Sequence, residues 1–408
     1  MREIEIFDYE RYGKKDSWTL AAARAIPDGR PRFAVQILHG FCERKELWFP
    51  FMKDIAAHGG VALIHDLRDC RGFCGGENDQ APALRAYGYD RVILWDDVDR
   101  VYEAFVDAED FECPPDPAAF DESDVPARLL RDDFGQKDPL SDVPVPDNSK
   151  EEVPPQEDPL RNNSGQEDPL PDNSKQEDPL RDDPFADPPD EPESRDAAER
   201  IPRFLLGFGM GALMAGLYAA HRDRRKKIDG LILAGFPAKN AAARPFGLAV
   251  LSLFVGGDAR AAGVNRRAEA RYSEPFRENG DDAPLSWISD DPEVRKAFLE
   301  DPLCCRDYTL NDHRELARLT RDFYDPASWD KPPKNFPLLL LAGGLDPAAG
   351  GDRGAAYAKR FLGDMGFSAA EARVYPGMRH VLFSGTGSGE PLADLTRFLL
   401  EHSPEADE

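Results

Sequence analysis

Short apolar segments alternate with longer segments of helical periodicity along most of the chain. Continuous apolar runs predict strands at Trp18 to Ile26, Phe33 to Leu38, Val61 to Ile64, Arg203 to Leu206, Leu231 to Ala234, Leu338 to Leu341 and Ala372 to Tyr375. Helical spacing predicts helices at Glu46 to His58, Val92 to Val106, Ala212 to Ala220, Gly354 to Leu362 and Pro391 to His402. Because apolar strands separated by helices are typical of a mostly parallel sheet covered on both faces, this order predicts an α/β fold.

Three features depart from this alternation. The first two apolar runs, joined by Pro27-Asp28-Gly29, predict a hairpin. The stretch from about Pro237 to Pro333 is helical and irregular, and we expect it to form a cap on the sheet. The resulting organisation has core segments at residues 1–108, 198–236 and 336–408, an acidic insert at 109–197 and a helical cap at 237–335.

The insert differs sharply from the rest of the chain. From Asp107 to Asp196 there are about 29 acidic and about 8 basic side chains, together with about 17 of the 36 prolines. The unit Gln156-Glu157-Asp158-Pro159-Leu160 recurs at residues 166–170 and 176–180, with a looser copy at 136–140. Such a composition cannot bury enough apolar surface to offset the entropy of ordering, so we expect a disordered, solvated linker. An array that binds a protein partner is the alternative.

Charge and cysteine content narrow the function classes. A formal charge of −26 without a basic stripe argues against nucleic acid and against electrostatic docking to a membrane. The uncharged run Phe204 to Ala220 resembles a membrane span, but its clustered glycines at 207, 209 and 211 favour a strand, a sharp turn and a helix. The N-terminus carries no apolar secretion segment, which indicates a cytoplasmic protein with free thiols. Six cysteines lack paired metal-ligand spacing: Cys42, Cys70, Cys74, Cys113, Cys304 and Cys305.

Candidate chemistry is concentrated where predicted strands end. The run Phe204-Leu205-Leu206-Gly207-Phe208-Gly209-Met210-Gly211 has the strand, glycine-X-X-X-glycine and helix order of a nucleophile elbow, with glycine at the position that normally holds serine. Asp346 follows the strand Leu338 to Leu341, and His380 follows the strand Ala372 to Tyr375. Upstream, Val35-Gln36-Ile37-Leu38 leads into the turn His39-Gly40-Phe41. Elbow, acid and histidine in this order resemble the serine aminopeptidase and monoacylglycerol lipase (lysophospholipase-like) branch of the α/β-hydrolase superfamily.

The resemblance implies a role for each of these residues. Asp346 would orient His380, His380 would be the general base, and the backbone amides of Phe41 and Met210 would form the oxyanion hole. Gly209 would occupy the nucleophile position, and neither a cofactor nor a metal is implied. Taken singly, Asp346 is more simply explained as a turn residue and His380 as a core or surface histidine, but their joint occurrence at the expected strand ends favours the catalytic interpretation.

Two departures from the family pattern limit the functional interpretation. Gly209 has no side chain to attack a carbonyl, and the turn from Asp66 to Gly72 lacks the Gly-His-Gly that relatives usually carry. Our first hypothesis is a catalytically impaired esterase- or lipase-like protein that binds a small-molecule ester, lipid or acyl ligand, or another protein. The second is an active ester hydrolase in which His380 and Asp346 activate water. The third is an interaction protein that works through its acidic repeat.

Overall fold

A sheet of eight strands lies at the centre of the part of the chain that the structure describes. The structure is a computed structural model, and it describes residues 4–12, 17–41, 43–67, 91–105, 201–239, 261–301, 304 and 308–404. The strands are β1 (Glu5–Tyr12), β2 (Ser17–Ala25), β3 (Phe33–Leu38), β4 (Gly60–His65), β5 (Arg203–Phe208), β6 (Gly230–Ala234), β7 (Leu338–Gly343) and β8 (Ala370–Tyr375). Their order across the sheet is β1-β2-β4-β3-β5-β6-β7-β8. All pairs from β4 to β8 are parallel, which confirms the predicted α/β fold.

Helices connect the strands and cover both faces. They are α1 (Phe49–Ala57), α2 (Arg91–Phe105), α3 (Met210–Ala220), α4 (Arg222–Arg225), α5 (Ala262–Arg277), α6 (Pro292–Glu300), α7 (Leu310–Phe323), α8 (Gly351–Asp364) and α9 (Gly389–Glu401). One apolar cluster packs α3 and α8 against the sheet, and a second packs α1 and α9 against the opposite face. Within β5, Phe204 and Leu206 belong to the second cluster and Leu205 to the first, as the two-residue period of a strand requires.

The predicted hairpin of the first two apolar runs is wrong. β2 pairs antiparallel with β1 and β4, and β3 lies on the far side of β4. The connection from Ile26 to Arg32 is longer than a tight hairpin turn, so the chain can pass over one strand position. The fully buried β4 then pairs on both its edges. β1, which the apolar pattern did not indicate, is the true hairpin partner of β2 and carries the charges typical of an edge strand.

The described part of the predicted cap contains α5, α6 and α7. α6 begins at Pro292, where Asp291 accepts a hydrogen bond from the Glu293 amide at 2.9 Å. α7 begins with a capping box, in which Thr309 and Asp312 satisfy each other's backbone amides. The exact boundaries of the cap stay a prediction.

The remaining predictions concern the uncharged run from Phe204 to Ala220, the acidic insert and the cysteines. The uncharged run from Phe204 to Ala220 divides into β5 and α3, as its glycines indicated. Among the described helices, none is long and apolar enough to cross a membrane. The acidic insert, and the cysteines other than Cys304, lie outside the described residues; Cys304 is buried and makes no disulfide.

Candidate active site

The turn between β5 and α3 has the backbone of a nucleophile elbow. Gly209 lies at φ 55° and ψ −119°, a conformation that side chains rarely adopt, and its amide donates to the Ala234 carbonyl at 3.0 Å. The flanking glycines are required for packing. A Cβ atom at Gly207 would lie 2.3 Å from the Gly211 carbonyl oxygen, and one at Gly211 would lie 2.0 Å from the Leu38 carbonyl oxygen. The strand and helix therefore meet as closely as an elbow demands.

Asp346 and His380 meet at the carboxyl edge of the sheet. Asp346 follows β7 and is 1% exposed, and its Oδ2 accepts a hydrogen bond from His380 Nδ1 at 2.8 Å. Its Oδ1 accepts the Ala348 amide at 2.8 Å, which fixes the carboxylate in the turn. Because a carboxylate only accepts, the proton lies on Nδ1 and the lone pair of the neutral imidazole lies on Nε2.

The imidazole faces the position where a nucleophile would stand. A Cβ atom built on Gly209 lies 3.5 Å from His380 Nε2 and 3.4 Å from Gly40 Cα. Both distances are ordinary van der Waals contacts, so a small side chain fits there without moving either neighbour. The structure thus brings together the elbow, the acid and the histidine that the sequence proposed.

Charge around His380 favours its protonated form. Burial acts to lower the pKa of His380, but the carboxylate of Asp346, its hydrogen bond and the charge of Glu43 together raise the pKa above the ordinary histidine value. A buried imidazolium would therefore be stabilised here as it forms, which is the electrostatic task of a histidine general base.

The turn after β3, residues 39–41, lies beside the elbow, and its backbone amides have different partners. Gly40 donates its amide to Glu43 Oε2 at 2.7 Å, and the same oxygen accepts Trp48 Nε1 at 3.0 Å. Within the described residues, the Phe41 and Met210 amides donate to no acceptor. These are the two amides that the resemblance assigns to an oxyanion hole.

Glu43 is a member of the site that sequence reasoning missed. Burial raises the pKa of its carboxyl, while the hydrogen bonds from the Gly40 amide and the Trp48 indole oppose that rise. Its only sequence signal is a charged residue three positions after Gly40, within a turn that follows a buried strand. Such a residue is ordinarily exposed, so its position gives no warning of burial.

Aromatic side chains surround these polar groups. The His380 ring lies 4.9 Å from the Phe208 ring and 5.1 Å from the Trp287 ring, centroid to centroid. On the oxyanion side, Phe41 stacks on Tyr308 of the cap at 3.8 Å and an interplanar angle of 16°. The described residues contain no group of three or more His, Cys, Asp or Glu side chains placed to hold a metal ion.

Comparison with known proteins gives one matching family model and several solved structures of similar fold. A family model described as serine aminopeptidase, S33, matches residues 192–386, a range that contains Gly209, Asp346 and His380. This match covers a little less than half of the chain, and the solved structures below show that the chain has the α/β-hydrolase fold. Comparison with curated protein sequences gives no match.

Solved structures of similar fold include one carboxyl esterase and two lipases of monoglycerides. A thermostable carboxyl esterase from Bacillus coagulans, in complex with glycerol, is 16% identical with a TM-score of 0.62, and the match covers 98% of each chain. A soluble variant of monoglyceride lipase from Saccharomyces cerevisiae, in complex with a substrate analogue, is 14% identical with a TM-score of 0.55, covering 99% of this chain and 97% of that one. A monoacylglycerol lipase from Paleococcus ferrophilus is 15% identical with a TM-score of 0.51, covering 94% and 99%.

Proposed function

We propose that this protein is an esterase- or monoglyceride-lipase-like α/β hydrolase that binds an ester, lipid or acyl ligand but has lost acyl-enzyme chemistry. The observation that carries the proposal is the geometry of position 209. Its backbone has the strained elbow conformation and its Cβ position lies 3.5 Å from His380 Nε2, yet the residue is glycine. Without a hydroxyl or thiol, no covalent acyl intermediate forms at this position.

The remaining parts of the site suit an ester carbonyl. The amides of Phe41 and Met210 would donate to the carbonyl oxygen, while the surrounding aromatic rings offer an apolar surface to an acyl chain. The glycerol and the substrate analogue bound to two proteins of this fold are consistent with a ligand of the monoglyceride class.

Labelling with a serine-directed fluorophosphonate probe tests the loss of the nucleophile. We expect the wild-type chain to remain unlabelled and Gly209→Ser to be labelled, because the base and both oxyanion amides are retained. Gly209→Ala is the matched control, since it imposes the same backbone strain of about 1 to 3 kcal/mol without a hydroxyl. Both variants should melt below wild type by similar amounts, and only Gly209→Ser should react. Labelling of the wild type, or equal labelling of both variants, would overturn the proposal.

Ligand binding is tested separately with a glycerol monoalkyl ether, which resembles a monoglyceride but has no ester bond. A ligand that binds only the folded state stabilises it by about 2.7 kcal/mol at one hundred times its dissociation constant. We therefore expect the ether to raise the melting temperature of the wild-type chain and free glycerol to leave it unchanged. An unchanged melting temperature at saturating ether would contradict the ligand class.

A second candidate function rests on the orientation of His380. Nε2 carries the lone pair and points at a position without a side chain, so a water molecule there could give its proton to Nε2 and attack an ester carbonyl. The imidazolium would then return the proton to the departing alcohol. A site without its nucleophile retains roughly 10³- to 10⁴-fold acceleration over water. This activity requires neutral His380, and because the pKa of His380 is raised, the rate should rise with pH through a midpoint above that of an ordinary histidine.

Hydrolysis of p-nitrophenyl acetate distinguishes this candidate from the first. His380→Ala should abolish the activity if the imidazole activates water, whereas His402→Ala, at an exposed histidine after α9, should leave it unchanged. Equal turnover by wild type and His380→Ala would exclude a histidine-activated water.

A further inference from the structure

The histidine loop is hydrogen-bonded to a turn of the cap over two successive residues. The His380 amide donates to the Trp287 carbonyl at 3.4 Å, and the Val381 amide donates to the Ile288 carbonyl at 2.9 Å. This turn, residues 285–289, connects α5 to α6. The backbone that carries the imidazole is therefore fixed in part by the cap and not by the sheet alone.

One carboxylate holds this turn. Glu269, on α5, accepts Trp287 Nε1 on its Oε2 at 2.8 Å and accepts the Leu285 amide on its Oε1 at 3.1 Å. Ser273, one helical turn further along, donates its hydroxyl to the same Oε1 at 2.8 Å. Three donors thus converge on a single half-buried side chain.

The turn needs this support because its backbone is strained. Leu285 has φ 57°, and within the described residues it is the non-glycine residue with a positive φ. A branched side chain in this region costs free energy and persists only where the surroundings determine it. The hydrogen bond from the Leu285 amide to Glu269 is a contact that selects this conformation.

The same carboxylate fixes the indole ring that packs on the imidazole. With Nε1 bound to Glu269, the Trp287 ring packs at a tilt against the ring of Tyr272, at 5.0 Å, and against the ring of His380, at 5.1 Å. The Phe208 ring also packs against the imidazole, at 4.9 Å between ring centroids. The imidazole is thereby confined by two aromatic rings while Asp346 holds Nδ1, and little rotational freedom remains for Nε2.

Arg379 provides a second contact between the histidine loop and the cap. Its guanidinium donates to Asp281 at 2.7 Å and to the Ser286 carbonyl, and it lies 4.2 Å above the Phe276 ring. These contacts hold the backbone of the loop. Neither Glu269 nor the indole of Trp287 is a partner in these contacts, so they remain in a variant of Glu269.

We propose that Glu269 is a positioning residue for His380, which acts through Trp287 to keep the imidazole hydrogen-bonded to Asp346 and aimed at position 209. The proposal deepens the proposed function, because it assigns to the cap the task of ordering the general base. Glu269 contacts Trp287, and Trp287 in turn packs against His380. The carboxylate of Glu269 therefore takes no direct part in a reaction.

Proton NMR of the wild-type chain tests this without any catalytic turnover. The Nδ1 proton shared by His380 and Asp346 should give a downfield resonance that His380→Ala removes. Glu269→Gln offers only one acceptor atom to donors that now use two, so we expect exchange of this proton with water to quicken about tenfold. Glu274→Gln, which makes the same change on an exposed position of α5, should leave the exchange rate unchanged.

A double-mutant cycle decides whether the effect runs through the indole. Trp287→Phe keeps a ring beside His380 and removes the N–H, so adding Glu269→Gln to it should change the exchange rate by less than twofold. The rate of fluorophosphonate labelling in the Gly209→Ser background should fall about tenfold with Glu269→Gln and remain unchanged with Glu274→Gln. An unchanged exchange rate in Glu269→Gln, or an equal effect in the Trp287→Phe background, would overturn the proposal. Absence of labelling in Gly209→Ser itself would instead count against the proposed function, since the NMR measurement does not depend on it.

Discussion

His39 and His380 each lie beside a buried aspartate at the carboxyl edge of the sheet. They differ in whether the second ring nitrogen has a hydrogen-bond partner. His39 Nδ1 donates to the Gly40 carbonyl at 2.9 Å, and its Nε2 accepts the Leu67 amide at 3.1 Å. Its neighbour Asp66 lies 3.9 Å away and is held by Lys45 at 2.8 Å. His380 uses Nδ1 for Asp346, and its Nε2 binds no group within the described residues.

This difference distinguishes a structural histidine, His39, from a histidine with the arrangement of a general base, His380. Both nitrogens of His39 are consumed by backbone groups, so the ring ties the end of β3 to the residues after β4. His380 has one nitrogen fixed and the other directed at position 209, which is the arrangement a general base needs. A histidine–aspartate neighbourhood alone is therefore no sign of a reactive site. What distinguishes the two histidines is whether the second ring nitrogen is already hydrogen-bonded within the protein.

The largest effect we expect from testing this comparison is on stability. His39→Ala should lower the free energy of unfolding by about 2 to 3 kcal/mol, because it leaves the Leu67 amide without an acceptor and opens a cavity at a fully buried position. His380→Ala should cost less, since its side chain is 13% exposed and water can replace its bond to Asp346. Urea unfolding of both variants measures this. A larger loss for His380→Ala would show that the pair at the site is mainly structural.

The next effect is on titration. Burial lowers the pKa of His313, whereas His380, despite its burial, has a raised pKa because of Asp346 and Glu43. In one NMR titration His380 should therefore protonate at higher pH than His313. Asp346→Asn removes the main favourable charge, so burial should then dominate and bring the His380 pKa below its ordinary value.

The stability linked to this shift has a definite sign. Because the folded pKa of His380 is raised above the unfolded value of about 6.5, its contribution is complete below that pH and is lost as the pH rises through the folded value. The gain should be absent in Asp346→Asn. An unchanged pH dependence of unfolding in that variant would contradict the assigned cause.

The smallest effect we expect comes from the acidic insert. It joins the C-terminal end of α2 to the N-terminal end of β5, whereas Gly209, Asp346 and His380 follow the carboxyl ends of strands. Replacing Glu109 to Glu193 with a short Gly/Ser linker should leave the melting temperature, and the labelling of Gly209→Ser, essentially unchanged. A chain with a scrambled insert is the control for length. A collapse of stability in the shortened chain would show that the insert packs against the core.

Local patterns were sufficient for the parallel core and the elbow. The apolar runs of β4 to β7 and the glycines around Gly209 carry their meaning in a few adjacent residues, and Asp346 and His380 could be placed by the strands they follow. These parts of the fold and site were predicted from the sequence.

Other features depend on contacts between distant segments, and the sequence could not supply them. The position of β4 between β2 and β3 is set by pairing on both its edges. Glu43 is buried only because Gly40 and Trp48 bind it, and Glu269 meets Trp287 only when α5 packs beside the turn at residues 285–289. A single charged residue in a polar stretch gives no local signal of such a role.

Our central proposal is that position 209 is the nucleophile position of the fold, that glycine occupies it, and that the general base His380 is retained. Mass spectrometry of fluorophosphonate-treated Gly209→Ser, with peptide mapping of the adduct, tests it most directly. We predict one phosphonyl group per chain on the residue at position 209, and a loss of at least a thousandfold in labelling rate when His380→Ala is added. An adduct on any other residue, or labelling at position 209 that does not depend on His380, would contradict the account.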